Sequence, residues 1–500
     1  MTVPVVKSGV RLESRATALE RFVERHHIWI LAIWSLSYFA GTMLRAHGKP
    51  FWYDELLTVL EARQPTLSQA LQVLRDVDWM PPAERLTFYF TNKLAGSGEV
   101  TFRIPVMIAF WVFCISLYLF ARRRVSIFFA FMALLLPYAS EFQMYSYEAR
   151  SYAFMLAFCG IALVSWQAAA EGIARPWALS GLALALAAAV SFQYWSALMY
   201  LPLGAAEVYR AIRRRRVDWS MCGALAVGAT PLVASFFLLR RLLQGTSPHR
   251  AHAATYLEFY SSMFRLCFFV AVLIALALSV WFLVGGRKEK PEGSRLALIP
   301  DYEWIAVAVL LLAPVAVISI TMVLPPYEFM PRYAAPAVAG YALLIAFLAA
   351  HFSAQRSALG LVCVLAALAP FLYLMTHPKR SESPFHKMRG LQRQLQNGPV
   401  VIEGLVSYLP LWYYAPDPLK PRLIFLTGRQ SGTRGPDRMD EFSKLGIPVV
   451  PYNKFALPGT EFLFYPGKSG KLQRRIERDG GTVETVTSSR RHPVLRAHIK

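Results

Sequence analysis

Long apolar runs separated by short polar links fill the first three quarters of the chain. A helix needs about 20 apolar residues, and at least about 17, to cross the hydrocarbon core of a bilayer. Runs near that length open at Ile28, Ile104, Val125, Tyr152, Trp177, Trp195, Trp219, Leu266, Trp304, Tyr333 and Ala358. This pattern predicts a polytopic α-helical membrane protein with about eleven transmembrane helices.

The links between the runs alternate between two kinds. Short basic ones carry Arg122, Arg123 and Arg124, then Arg210 and Arg213 to Arg216, then Arg287, Lys288, Lys290 and Arg295. Cationic links stay on the cytoplasmic side, so these links and the basic segment 1–27 are expected there. That segment, with Lys7, Arg11, Arg15, Arg21 and Arg25, is too polar for a cleaved signal, so the first apolar run is read as a retained span. Residues 45–102, 137–151, 240–265 and 325–332 then share the outer face and hold most of the carboxylates near the spans. An odd span count also places the chain after about Met375 outside.

From residue 376 to 500 the pattern changes. Short β-rich runs at 399–402, 422–426, 447–450, 461–465 and 482–487 are separated by Gly/Pro turns and by helical stretches such as 437–445. The tail is expected to form a small extracytoplasmic α/β domain behind a transmembrane domain of residues 28–375. It carries 21 Lys and Arg against 10 Asp and Glu, so it holds about half of the formal charge of +22.

With 55% hydrophobic and 17% charged residues, the composition excludes a disordered chain, collagen and a disulfide scaffold. Beside a bilayer, the excess of basic residues points to cytoplasmic links and to contacts with anionic lipid or phosphate, and no nucleic-acid partner is expected. Cys114, Cys159, Cys222, Cys267 and Cys363 all lie in apolar runs without a C-x-x-C pair, so neither disulfides nor cysteine-bound metal are expected.

Four polar motifs fall on the predicted outer face. Phe51-Trp52-Tyr53-Asp54-Glu55 follows the first span. Adjacent carboxylates among aromatics are costly at a membrane surface unless a cation or polar substrate meets them, and a partly desolvated carboxylate is a natural general base. An interfacial aromatic belt accounts for the same residues. Further along, Asp78-Trp79-Met80-Pro81-Pro82 reads as an extended turn that fixes where Asp78 points, either for structure or for a site.

The second outer loop contains Glu148-Ala149-Arg150-Ser151-Tyr152. In helical phase Glu148 and Tyr152 share a face, and the acid and arginine either anchor a helix as an ion pair or line a polar cavity. Pro331-Arg332-Tyr333 places Arg332 at a helix start, where guanidinium and amino terminus both attract phosphate; snorkelling toward lipid headgroups is the alternative. His249 and His252 read as a solvated loop, because no carboxylate completes a metal shell. The basic stretch Lys471–Arg478 reads as a solvated or lipid-facing surface. No P-loop, dinucleotide fingerprint or nucleophile elbow is present, which removes support for nucleotide-driven transport and serine hydrolase chemistry.

Taken together, Trp52-x-Asp54-Glu55, Asp78-x-x-Pro81-Pro82, Glu148-x-Arg150-x-Tyr152 and Pro331-Arg332-Tyr333 with Pro336 resemble the motifs of the membrane-embedded GT-C glycosyltransferases. The resemblance is to the bacterial branch of protein O-mannosyltransferases, lipid A aminoarabinose transferases and lipopolysaccharide-core galacturonosyltransferases, and it covers roughly residues 25–375. It implies inverting transfer of a sugar from a polyprenyl-phosphate donor to a lipid, glycan or protein acceptor, at the outer face of a bacterial cytoplasmic membrane. By the same resemblance Asp54 is the general base, Glu55 its neighbouring carboxylate and Glu148 a second-loop acid. Arg332 and Tyr333 lie near the donor phosphate, Arg150 or Lys93 could stabilise the leaving phosphate, and Asp78, Pro81, Pro82 and Tyr152 position the loops. Whether Asp54 and Glu148 hold a divalent metal is left open. The chain departs from the pattern where relatives commonly read Asp-x-His-Pro-Pro-Leu-Tyr-Tyr, since Met80 fills the histidine slot and Ala83-Glu84-Arg85 follows the prolines.

Two other classes fit parts of the pattern. A transporter or flippase of a lipid-linked saccharide would also use many spans and phosphate-binding arginines, but no inverted repeat or interrupted span is evident in the sequence. A noncatalytic assembly protein would rely on the basic tail.

Overall fold

A computed structural model describes residues 3–78, 80–236, 254–283, 299–323, 330–378, 381–385, 398–427, 440–466, 470–486 and 494–499. Contacts divide the chain into two units, Met1–Arg45 with Arg103–Pro378, and Ala46–Phe102 with Lys379–Lys500.

The first unit is helical, and each predicted apolar run forms helix within the described residues. Glu13–His47, Thr101–Arg122, Tyr152–Glu171, Arg175–Phe192, Asp301–Val323 and Ser357–Thr376 are long and apolar enough to cross a membrane. Two further pairs are bent, Ile127–Ala139 with Glu141–Tyr147 by 86° and Ala254–Met263 with Arg265–Trp281 by 72°, which allows up to eight spans among the described residues. Both bends fall at borders between span and outer loop that the sequence reading places near Pro137 and before Leu266; the helical form of the outer segments is the new feature. At the first, Pro137 enters a 3-10 turn and Ser140 takes an extended conformation (φ −101°, ψ 157°), so the α-helical hydrogen bonds stop there. Trp219–Ala234 and Ala337–Phe352 are shorter apolar helices. The run opening at Trp195 divides into a 3-10 turn, Tyr194–Met199, and the helix Tyr200–Arg214, which carries Glu207, Arg210, Arg213 and Arg214.

Large apolar side chains such as Ile28, Trp29, Leu36, Trp177 and Leu184 point outward, as a surrounding lipid phase permits. Small residues let helices approach inside. A Cβ on Gly340 would lie 2.8 Å from the Leu311 Cα, so the Ala337–Phe352 and Asp301–Val323 helices meet nearly backbone to backbone.

Ion pairs cluster where two of the basic links meet helix ends. Arg124 pairs with Glu171 and with the fully buried Glu303, whose other oxygen accepts from Arg124 Nε at 2.9 Å. Arg123 reaches Glu171 at 3.1 Å, and Arg210 reaches Glu207 at 2.5 Å. The third basic link, residues 284–298, and the His249/His252 pair lie outside the described residues.

In the second unit the first loop forms the helices Tyr53–Ala62, Leu67–Val73 and Pro82–Ala95, with a π-helical turn at Leu74–Asp78. The tail forms strands β1 (Val400–Ile402), β2 (Leu423–Ile424), β3 (Leu426–Thr427), β4 (Val450–Pro451), β5 (Glu461–Tyr465), β6 (Thr482–Thr485) and β7 (Leu495–His498). The five-stranded sheet has order β2-β1-β5-β7-β6, parallel across β2-β1-β5 and antiparallel across β5-β7-β6. Val401, Phe462, Phe464 and Ala497 of the sheet pack on Leu472 and Ile476 of the helix Lys471–Arg478. The predicted 422–426 strand is split into β2 and β3, and the 437–445 helix is a 3-10 turn at Asp440–Leu445. The helix Leu405–Tyr414 and strand β7 have no counterpart in the sequence reading.

The first loop packs on this tail. The Phe51 N–H donates to the Tyr414 hydroxyl at 2.6 Å, and that hydroxyl donates to Glu99 at 2.5 Å. Arg63 donates to the Tyr413 hydroxyl at 2.8 Å, the Ser381 N–H donates to the Gly48 carbonyl at 2.8 Å, and Lys444 pairs with Asp76 at 3.2 Å.

Candidate active site

In the second unit the aromatic pentapeptide opens a helix. Trp52 is extended and acts as the N-cap, so Asp54 and Glu55 fall in the first turn, where the helix dipole favours negative charge. Their chemistry then diverges by position. Glu55 is fully buried and turns back to accept the Trp52 N–H at 3.3 Å, which holds the helix start in place. Asp54 is half-buried, and its carbonyl accepts from the Thr58 hydroxyl at 3.2 Å.

Pro81 is extended (φ −58°, ψ 143°) and Pro82 sits at the first position of the next helix, where a missing N–H costs nothing. The Asp78 side chain and Trp79 lie outside the described residues. Ala83-Glu84-Arg85, the departure from the family pattern, is used inside this unit. Buried Arg85 pairs with Glu61 and with Glu84 (3.1 Å), and it donates to the Thr58 hydroxyl at 3.0 Å. A cation between two buried acids thereby ties the Pro82–Ala95 helix to the helix that carries Asp54. Lys93 Nζ donates to the Pro65 carbonyl at 3.0 Å and lies 5.4 Å from the centre of the Tyr89 ring, so the structure gives it a bracing contact within the loop.

In the first unit Glu148, Arg150, Tyr152, Arg332 and Tyr333 come together. Glu148 is buried but extended (φ −118°, ψ 128°), and the Arg150 N–H closes a tight turn on its carbonyl at 2.7 Å. The helix begins only at Tyr152, so the expected helical phase of Glu148 with Tyr152 does not hold. Tyr152 is buried, with the Arg150 guanidinium 5.8 Å and the Arg332 guanidinium 5.9 Å from its ring centre. Arg332 lies in a 3-10 turn, Pro331–Ala334, ahead of the Ala337–Phe352 helix. Tyr333 stacks on Trp195 at 4.9 Å, and Tyr145 lies against Tyr152 at 4.7 Å. Two guanidinium groups and the Tyr145 ring around one buried tyrosine form a cationic, aromatic cluster whose chemistry suits a phosphate beside an apolar chain.

Sequence reading missed the Trp195 contact in this cluster and, elsewhere in the first unit, a buried cation. Trp195 was visible only as the start of an apolar run. Arg45, buried at the end of the first helix, donates to the Tyr147 hydroxyl at 3.2 Å and to the Leu374 carbonyl at 3.0 Å. A lone cation closing an apolar run was its signal. Among the described residues, no three His, Cys, Asp or Glu side chains gather as a metal shell.

Two crystal structures of ArnT from Cupriavidus metallidurans superpose on the chain. The apo structure matches over 95% of this chain and 98% of its own, with a TM-score of 0.54 at 12% identity. The structure bound to undecaprenyl phosphate matches over 94% and 97%, with a TM-score of 0.53 at 12% identity. The chain has the ArnT fold. That fold is helical, with six to eight helices long and apolar enough to cross a membrane among the described residues, and it has a small C-terminal sheet region. No family model matches the sequence, and no curated protein matches it. At 12% identity the ArnT likeness is one of architecture.

Proposed function

We propose that this chain is an inverting glycosyltransferase that moves a sugar from a polyprenyl-phosphate donor to a lipid, glycan or protein acceptor at the periplasmic face of a bacterial inner membrane. The observation that carries this reading is the convergence of Arg150 and Arg332 on Tyr152, in a chain with the fold of a protein crystallised with undecaprenyl phosphate.

In the proposed reaction the acceptor hydroxyl gives its proton to Asp54 while its oxygen attacks the anomeric carbon. The bond from that carbon to the phosphate oxygen breaks, and the lipid phosphate leaves carrying the electron pair. Arg150 and Arg332 stabilise its growing negative charge. Attack opposite the leaving phosphate inverts the anomeric centre. Glu148 orients the acceptor, Glu55 holds the helix that presents Asp54, and Tyr333 on Trp195 steadies the Arg332 turn. No step is assigned to a metal.

The test is mass spectrometry of lipids and envelope glycans from a host lacking the protein, complemented with the intact chain or with Asp54→Asn. One sugar mass should be missing in the deletion, return with the intact chain and stay missing with well-expressed Asp54→Asn. Loss of a general base costs roughly 10²- to 10⁴-fold in rate. If Asp54→Asn restores everything, Asp54 is not the base, and transport of a lipid-linked saccharide becomes the better reading.

A further inference from the structure

An open cavity of about 360 Å³ lies in the first unit, where the Tyr200–Arg214 helix ends beside the start of the Asp301–Val323 helix. Tyr209, Arg210, Arg213, Arg214, Asp301 and Tyr302 line it. The candidate site uses none of these residues.

The lining has a buried floor and a cationic rim. Arg210 is 2% exposed, donates to Glu207 at 2.5 Å and to the Ala170 carbonyl at 3.2 Å, and lies 5.2 Å from the centre of the Tyr302 ring. Its Nε is buried and makes no hydrogen bond. Glu207 is itself held by the Trp166 indole at 2.7 Å, so the arginine on the floor is fixed in place. At the rim the Tyr209 hydroxyl donates to Asp301 at 2.6 Å. Arg213 and Arg214 are exposed, and neither pairs with a carboxylate among the described residues. Three lining arginines thus face one aspartate that is already hydrogen-bonded, with Glu207 offsetting only the buried arginine.

The surroundings are those of a membrane surface. Val208 and Ile212, one turn apart on the same helix, are exposed apolar residues, and Trp219 beyond the basic link is 78% exposed, as interfacial tryptophans are. This is also the end where Arg123 and Arg124 meet Glu171, the end that the basic links assign to the cytoplasm.

We propose that this cavity binds the phosphate of an anionic glycerophospholipid from the adjoining leaflet. Arg213 and Arg214 clasp the phosphate oxygens, Arg210 adds its charge from the buried floor, and the acyl chains run along Val208 and Ile212. Guanidinium forks match phosphate oxygens two at a time, and basic pockets between membrane helices recognise such headgroups by that match.

The test is native mass spectrometry of the full chain released from phosphatidylcholine nanodiscs doped with phosphatidylglycerol. The intact chain should retain phosphatidylglycerol in preference to phosphatidylcholine. At about fivefold per arginine, Arg213→Gln with Arg214→Gln should lower that retention roughly 30-fold. Arg215→Gln with Arg216→Gln, in the same link but outside the cavity, should lower it far less, and gel filtration confirms that both variants are folded. Equal losses from the two pairs would overturn the site in favour of a diffuse basic link. Displacement of the lipid by millimolar inorganic phosphate would overturn the lipid assignment in favour of free phosphate, and equal retention of both lipids would overturn it outright.

Discussion

Adjacent residues of like chemistry take different roles here because of how deeply each is buried. Asp54 is half-exposed while Glu55 is sealed and hydrogen-bonded to its own helix start, so the proposed chemistry rests on Asp54. The same reasoning applies to Arg85, buried between Glu61 and Glu84. Arg85→Leu leaves two acids without their cation, and it should destabilise the protein by about 3–5 kcal/mol, read as a lower melting temperature in detergent. Asp76 shows the exposed counterpart. The Arg75 guanidinium first, and then the Lys444 ammonium, hold its carboxyl below the usual value of 3.8. A depressed folded pKa means that the link stabilises above pH 3.8 and fades as pH falls through the folded value. Asp76→Asn should therefore melt slightly below the intact chain at pH 7, with the difference shrinking as pH falls below 3.8 and in high salt.

Among the elements, the spans were legible because a bilayer needs long apolar runs, and every described run is helical. The helical form of the outer segments Glu141–Tyr147 and Ala254–Met263 was not, because the sequence there was read only as loop between spans. Glu171, Glu207 and Glu303 drew no attention in the sequence, since their arginine partners come from other helices or from a basic link read only for its sign. The residues that cluster around Tyr152 were named one by one from the sequence, but not their conformation. Glu148 looked helical until the tight turn to Arg150 moved the helix start to Tyr152. Close helix packing makes its own prediction. Gly340→Ala drives a methyl group into the Leu311 backbone and should cost about 1–3 kcal/mol, measurable as a drop in melting temperature, whereas Gly204→Ala meets open space and should cost much less.

For the molecule as a whole, the tail boundary read from composition at residue 376 marks where spans end, yet the contacts place the first loop, Ala46–Phe102, in the same unit as the tail. No sequence pattern announces such a pairing, because it rests on single hydroxyls such as those of Tyr413 and Tyr414 in an otherwise apolar helix. Truncation after Met375 therefore removes the support of the Asp54 helix along with any acceptor-selecting surface. Activity of the truncated chain should fall, and so should protection of the first loop from added protease. Tyr414→Phe, which keeps the tail but removes the hydroxyl joining Phe51 to Glu99, should show a smaller loss of that protection.

The Phe51 to Tyr414 contact joins residues 363 positions apart. At about 5–20 residues per second, a ribosome needs on the order of 20–70 s to make that interval. Throughout that time the nascent first loop lacks the partner that covers Phe51, while helix after helix enters the bilayer. Assembly of this unit is consequently gated by completion of the chain, and a stalled or prematurely terminated product carries an unsealed loop that folding surveillance at the membrane surface can recognise.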